Sequence, residues 1–178
     1  MRISEIFYSV QGEGSLIGVP SIFVRTTGCN LRCSWCDTPY TSWNPVGEDF
    51  TIDQILEKTS EYKAANHVVI TGGEPLLAPG IVDLSKRYKD EGKHITFETA
   101  GTVTAPVECD LMSISPKLAN SAPEGPFRNQ HERLRLNLET LRHLTTNYPY
   151  QLKFVIAQES DLTEAQSIIK TLNAPPQN

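Results

Sequence analysis

Ser21-Ile22-Phe23-Val24-Arg25, followed at once by Thr26-Thr27-Gly28-Cys29-Asn30-Leu31-Arg32-Cys33-Ser34-Trp35-Cys36, is the stretch that decides how this chain folds. A short, mostly apolar run that ends in a loop bearing glycine reads as a buried strand. The same pattern returns at residues 67–71, 94–98, 111–114 and 152–156. Helix-period segments stand between these runs. One begins at Thr51, with Gln54 as the capping-box partner and Ile52, Ile55, Leu56 and Thr59 on one face. Others cover residues 81–89, 134–146 (Leu134, Leu138, Leu141 and Leu144 on one stripe) and 162–172, the last capped by Asp161 with Glu164 at the box position. This alternation predicts an α/β fold with a mainly parallel sheet and helices against it. In such sheets ligands sit at the carboxyl ends of the strands. The chemically unusual residues do follow strands: the cysteine loop, Thr71-Gly72-Gly73-Glu74-Pro75, Glu98-Thr99 and Ser115-Pro116-Lys117. The polar, Pro- and Gly-bearing residues 120–129 form either a lid or a mobile connection.

Length and composition bound the function. The 178 residues are enough for one domain with a real core, and 39% are apolar, as in a folded protein. Sixteen basic against twenty-one acidic residues give a net charge of −5, which argues against a broad nucleic-acid surface. One locally basic run (Arg128, His131, Arg133, Arg135, Arg142, His143) reads as a solvated helix face. No apolar stretch is long enough to span a bilayer, and residues 1–5 do not resemble a signal peptide, so a cytoplasmic protein with no membrane partner is expected.

Of four cysteines, Cys29, Cys33 and Cys36 lie within eight residues and Cys109 stands apart. Such clustering in a reducing compartment points to metal or catalysis rather than to disulfides. Three thiolates on one short loop can hold one face of an iron–sulfur cube and leave one iron open to a ligand. A zinc site would need a fourth ligand from Cys109, His67 or His94, and is the weaker reading. Cys109 itself reads as a small buried hydrophobe.

The run Cys29-x-x-x-Cys33-x-Trp35-Cys36 resembles the signature of the radical S-adenosylmethionine (SAM) superfamily. That resemblance implies a partial, TIM-like β/α barrel and a [4Fe–4S] cluster on Cys29, Cys33 and Cys36. The open iron would bind SAM, and reductive cleavage of SAM would yield a radical that removes a hydrogen atom from substrate. The cofactor carries that chemistry, so no catalytic residue is expected beyond the cluster and SAM. The same resemblance places SAM contacts at Trp35, Asp37, Gly73, Glu74, Glu98, Ser115 and Lys117.

The segment Val10-Gln11-Gly12-Glu13-Gly14, with Arg25 and Cys36-Asp37-Thr38, is similar to the 7-carboxy-7-deazaguanine synthase family within that superfamily. The implied activity is that of a carbon–nitrogen lyase: ring contraction of 6-carboxy-5,6,7,8-tetrahydropterin with loss of ammonia, in queuosine and related deazapurine biosynthesis, SAM being regenerated. Val10, Gln11, Gly12, Glu13, Arg25 and Thr71 would then meet the substrate. Arg25 offers a planar fork to the carboxylate, and Thr38 a hard oxygen to Mg²⁺. Glu13 could equally hold its loop together, and Thr71 could simply end its strand. A homodimer and an electron donor such as flavodoxin are implied as partners. Residues 1–178 are read as a single radical SAM domain, open to truncation at the C-terminus because such enzymes usually run on beyond the helix that ends here near Leu172. The rival activity is a glycyl-radical activating enzyme, whose substrate would be a protein.

Overall fold

The computed structural model describes residues 1–175. Its main elements are β1 (Arg2–Val10), β2 (Pro20–Thr26), α1 (Pro39–Ser42), β3 (Glu48–Asp49), α2 (Ile52–Ser60), β4 (His67–Gly72), α3 (Ile81–Asp90), β5 (His94–Thr99), β6 (Leu111–Ile114), α4 (Arg128–Leu134), α5 (Leu138–Asn147), β7 (Tyr150–Leu152) and α6 (Glu159–Leu172). The strands form one seven-stranded sheet in the order β3-β1-β2-β4-β5-β6-β7. From β2 to β7 every neighbouring pair is parallel. Only β1 is antiparallel, to both β2 and β3. The sheet stays open, with β3 at one edge and β7 at the other, so the fold is the mainly parallel α/β class that the alternation predicts and the incomplete barrel that the resemblance implies.

The parallel strands are apolar because both their faces are covered. Val68, Val69 and Ile70 of β4 and Ile95 and Phe97 of β5 are wholly buried. Leu56 of α2, Leu84 and Tyr88 of α3, and Leu141 and Leu144 of α5 join Val68, Ile70, Ile95 and Phe97 in one cluster. Removing a side chain such as Phe97 from it costs about 3–5 kcal/mol. The α2 start forms as expected: Gln54 N donates to Thr51 Oγ1 (3.2 Å) and Thr51 N to Gln54 Oε1 (2.8 Å).

Three local expectations are corrected. The helix expected over residues 134–146 is two helices, broken at residues 135–137 where Asn137 accepts the N–H of Thr140 and caps α5. Leu134 therefore packs beside the cysteine loop, not on the α5 stripe. The fifth parallel strand begins at Tyr150 and ends at Leu152, so most of residues 152–156 lies beyond it. The last helix begins at Glu159, and Asp161 lies in its first turn, accepting the N–H groups of Ala157 (2.9 Å) and Gln158 (3.1 Å). Glu164 instead takes the N–H of Ala119 and pairs with Arg135. The antiparallel strand β1 was not expected. Residues 176–178, part of the expected chain end, lie outside the described residues. Among the described residues no helix is long and apolar enough to cross a membrane.

Candidate active site

The site is built where β2, β4, β5 and β6 end. Gly72 has φ +132°, and a Cβ there would stand 2.0 Å from Thr26 O; one on Gly73 would stand 2.2 Å from Gly28 O. Only glycine lets the β4 turn lie directly on the start of the cysteine loop. Two bonds then join them: Gly73 N to Thr26 O (3.2 Å) and Glu74 N to Gly28 O (2.9 Å). The Glu74 side chain turns the other way. It is fully buried, accepts from Thr99 Oγ1 at both oxygens (2.8 and 2.9 Å), and takes the N–H groups of Ala100 (2.9 Å) and Leu76 (3.2 Å). Burial pushes this carboxyl above its ordinary range, and the four donor contacts oppose that shift. Glu74, expected at SAM, does not itself line the cavity described below. Its carboxylate braces the ends of β4 and β5, because three buried donors need it more than the cavity does.

The other side of the cysteine loop is held by residues 115–131. Arg32 N donates to His131 Nδ1 (3.1 Å), and His131 Nε2 lies 2.9 Å from Ser121 Oγ, which donates to Leu118 O (2.6 Å). An Nδ1 that accepts carries no proton, so this imidazole is neutral with its proton on Nε2; burial also lowers its pKa. Ser34 N donates to Ser121 O, and Trp35 Nε1 to Asn120 O (3.1 Å). Two expectations change here. His131 is a buried member of this network, not part of a solvated basic face. Residues 120–129 begin as a segment fastened to the cysteine loop at Asn120 and Ser121, rather than as a free lid.

These supports enclose a cavity of about 540 Å³, within the range of small-molecule sites. Most of the expected site residues line it: Gly12, Glu13, Arg25, Cys29, Cys33, Trp35, Cys36, Asp37, Thr38, Thr71, Gly73, Glu98, Ser115 and Lys117. Val10 and Gln11 do not. Val10 is exposed at the end of β1, and buried Gln11 spends its amide on Ser21 Oγ (3.0 Å), its N–H on Val19 O and its carbonyl on Gly18 N. Arg25 reaches the wall with its Nε on Glu5 Oε1 (2.6 Å) and its guanidinium over the Phe7 ring (5.7 Å). Among the described residues its terminal nitrogens make no hydrogen bond, so the fork stays open. Lys117 Nζ donates to Ser115 Oγ (2.8 Å) and sits 5.5 Å from the centre of the Trp35 ring. Thr38 Oγ1 lies 3.4 Å from Asp37 Oδ1. Sequence reasoning missed Lys153, which also lines the cavity and bonds Glu13 (3.0 Å) and Glu98 (3.4 Å). It follows a strand end, as Lys117 does, but the strand was expected to continue through it.

The three thiols fit a cluster. All are free and lie on one wall of the cavity. Leu31 N points to Cys29 Sγ (3.4 Å), and Ser42 Oγ lies 3.3 Å from Cys36 Sγ. Burial pushes the Cys29 thiol up to about 12 and Cys33 up to about 11. Such thiols ionise when a metal cation replaces the proton. Burial pulls the Lys117 ammonium down, while Cys33 and Glu74 act to keep it charged. Zinc ligation by His67, His94 or Cys109 finds no support. His67 and His94 begin their strands and Cys109 precedes β6, at the opposite ends from the cysteine loop.

The Radical SAM superfamily model matches residues 23–141. The chain thus belongs to the radical SAM superfamily, whose cofactors are a [4Fe–4S] cluster and SAM. Two relatives share 45% identity over 177 residues: the 7-carboxy-7-deazaguanine synthase of Halobacterium salinarum, with 95% of this chain and 69% of that protein covered, and that of Rhodopirellula baltica, with 97% and 68% covered. The crystal structure of QueE from Escherichia coli superimposes with a TM-score of 0.76 at 25% identity, covering 96% of this chain and 76% of that one. Within the superfamily, the chain belongs to the 7-carboxy-7-deazaguanine synthase family.

Proposed function

We propose that this chain converts 6-carboxy-5,6,7,8-tetrahydropterin to 7-carboxy-7-deazaguanine and ammonia, as a carbon–nitrogen lyase of deazapurine biosynthesis. Residues 1–178 act in this reading as one radical SAM domain. The observation that carries it is the meeting of Arg25, Gly12 and Glu13 with the three-cysteine wall in one cavity. When bound, the cluster and SAM supply a one-electron cleavage that yields a carbon radical able to take a hydrogen atom. The chain's residues do the rest. Arg25 presents its open terminal nitrogens to the substrate carboxylate, where two parallel charge-assisted bonds fix orientation. Glu5 and Phe7 hold that guanidinium in place. Gly12 and Glu13 face the pterin edge, and Thr71 offers a hydroxyl from the end of β4.

Trp35, Asp37, Gly73, Glu98, Ser115 and Lys117 form the SAM side of the same cavity. Thr38 supplies one hard oxygen to Mg²⁺, with substrate and water completing its shell. Loss of ammonia balances the ring contraction with no net oxidation, which agrees with regeneration of SAM. The electron comes from a donor protein such as flavodoxin, and the active form is a homodimer. Anaerobic reconstitution with iron and sulfide, followed by incubation with SAM, dithionite and the carboxypterin, tests the proposal. The deazaguanine acid is expected by mass spectrometry. Its absence, with a known synthase active in parallel, would overturn the assignment.

A further inference from the structure

The Gln11–Gly14 stretch arises between β1 and β2, three strands or more away from β7 in the sheet, yet it is tied to β7 and the residue just past it. Ser15 N donates to Gln151 Oε1 (2.7 Å), while Gln151 Nε2 donates to Ser113 Oγ on β6 (2.8 Å). Two residues on, Lys153 Nζ bonds Glu13 Oε2 (3.0 Å) and Glu98 Oε1 (3.4 Å). The chain passes so close to β7 that a Cβ on Gly14, already at φ +74°, would stand 2.2 Å from Gln151 Nε2. Contacts spanning more than 130 residues thus carry the loop across the mouth of the open sheet.

We infer that Gln151 and Lys153 are positioning residues, which fasten the 11–18 loop across the cavity and so set Gly12 and Glu13 against the substrate. The assignment of that loop to substrate rests on the function proposed above; the fastening does not. Gln151 holds the backbone through a neutral pair of bonds and makes no contact that depends on charge. Lys153 adds the charged tie. It joins the loop carboxylate Glu13 to Glu98 at the end of β5, on the SAM side of the cavity. Burial alone would lower the Lys153 pKa, but Glu98 and Glu13 hold it above its ordinary value, so the tie stays charged at neutral pH. Glu13 is well exposed, so its ion pair with Lys153 is worth no more than about fivefold in binding when it is lost.

Hydrogen–deuterium exchange on the full chain reads the fastening directly. In Gln151→Ala the amides of residues 13–17 should exchange at least about tenfold faster than in wild type, with exchange in β4 and β5 unchanged. Unchanged exchange in the loop would overturn the latch. Kinetics with the reconstituted enzyme read the positioning. Lys153→Met should raise KM for the carboxypterin about fivefold with cluster absorbance intact and a smaller change in kcat, and Lys153→Arg should restore most of the difference. A KM equal to wild type, or a Lys153→Arg variant as impaired as Lys153→Met, would overturn the role in substrate placement. Should wild type not turn over the carboxypterin, the function proposed above falls, and the exchange experiment still decides the latch.

Discussion

The two ends of the parallel strands hold the same kinds of residue and use them differently. At the amino ends, the His67 and His94 rings lie 4.5 Å apart, Asp110 pairs with Lys89 and takes the N–H of Ile95 (2.9 Å), and the Cys109 thiol rests on Ile95 O. The Asp110 charge is matched by Lys89, and the work done is closing the sheet. At the carboxyl ends, Arg25, Lys117, Lys153, Glu13, Glu98 and three thiols converge on a cavity. Burial raises Cys109 to about 12, much as it raises Cys29. Thiol acidity therefore does not separate a structural cysteine from a cluster ligand. What separates them is position: a turn directed by Gly72 and Gly73 and a wall shared with two further thiols.

The sharpest way to break this comparison is to remove one thiol at each end. Cys33→Ala should abolish the brown visible absorption and all SAM cleavage after reconstitution, because only two cluster ligands remain. Cys109→Ala should keep both, and loss of the cluster in that variant would undo the distinction. A step smaller is Glu74→Ala. It leaves the Thr99 hydroxyl and the N–H groups of Leu76 and Ala100 without their acceptor, at a cost of about 3 kcal/mol in urea unfolding. Unfolding at the wild-type midpoint would show that Glu74 braces nothing. Smaller again is Arg25→Lys. The compact ammonium loses the planar fork, so KM for the carboxypterin should rise about tenfold, near 1.4 kcal/mol, with the folded state unchanged. An unchanged KM would place the substrate carboxylate elsewhere.

Much of this contrast was legible in the chain before folding. The strands β2, β4, β5 and β6 announce themselves because burial on both faces leaves Val68-Val69-Ile70 without a polar partner in sequence. The cysteine loop is equally plain, since its ligands are local. What stayed hidden was long-range. Glu74 looks like a ligand from its turn motif, and only the approach of Thr99 and Ala100 shows that its oxygens are already engaged. Lys153 looked like part of a strand, and nothing near it in sequence reveals Glu13. His131 sat within a basic run of which Arg128, Arg133, Arg142 and His143 are exposed, yet it turns inward to Arg32 and Ser121. The break before α5 was a local signal missed, as Asn137 ahead of Leu138-Glu139-Thr140 is a good N-cap.

The smallest expected effect lies at the quiet end of the sheet. Burial alone would raise the Asp110 pKa, but the Lys89 ammonium and the Ile95 N–H outweigh it and hold the carboxyl below its ordinary range. A group depressed in this way stabilises the fold above its unfolded pKa of about 3.9 and loses that contribution as pH falls through the lower folded value. Lys89 is well exposed, so the ion pair itself is worth no more than about 1 kcal/mol. Asp110→Asn should therefore cost about 1 kcal/mol in urea unfolding at pH 7. The gap to wild type should close as the solution is taken to pH values at which the native carboxyl is itself protonated. SAM cleavage and KM should not move at all, since no residue of this end lines the cavity. A gap that persists unchanged in acid would mean that shape, not charge, is what Asp110 contributes to the sheet; a change in KM would mean that the two ends are not as separate as their geometry makes them.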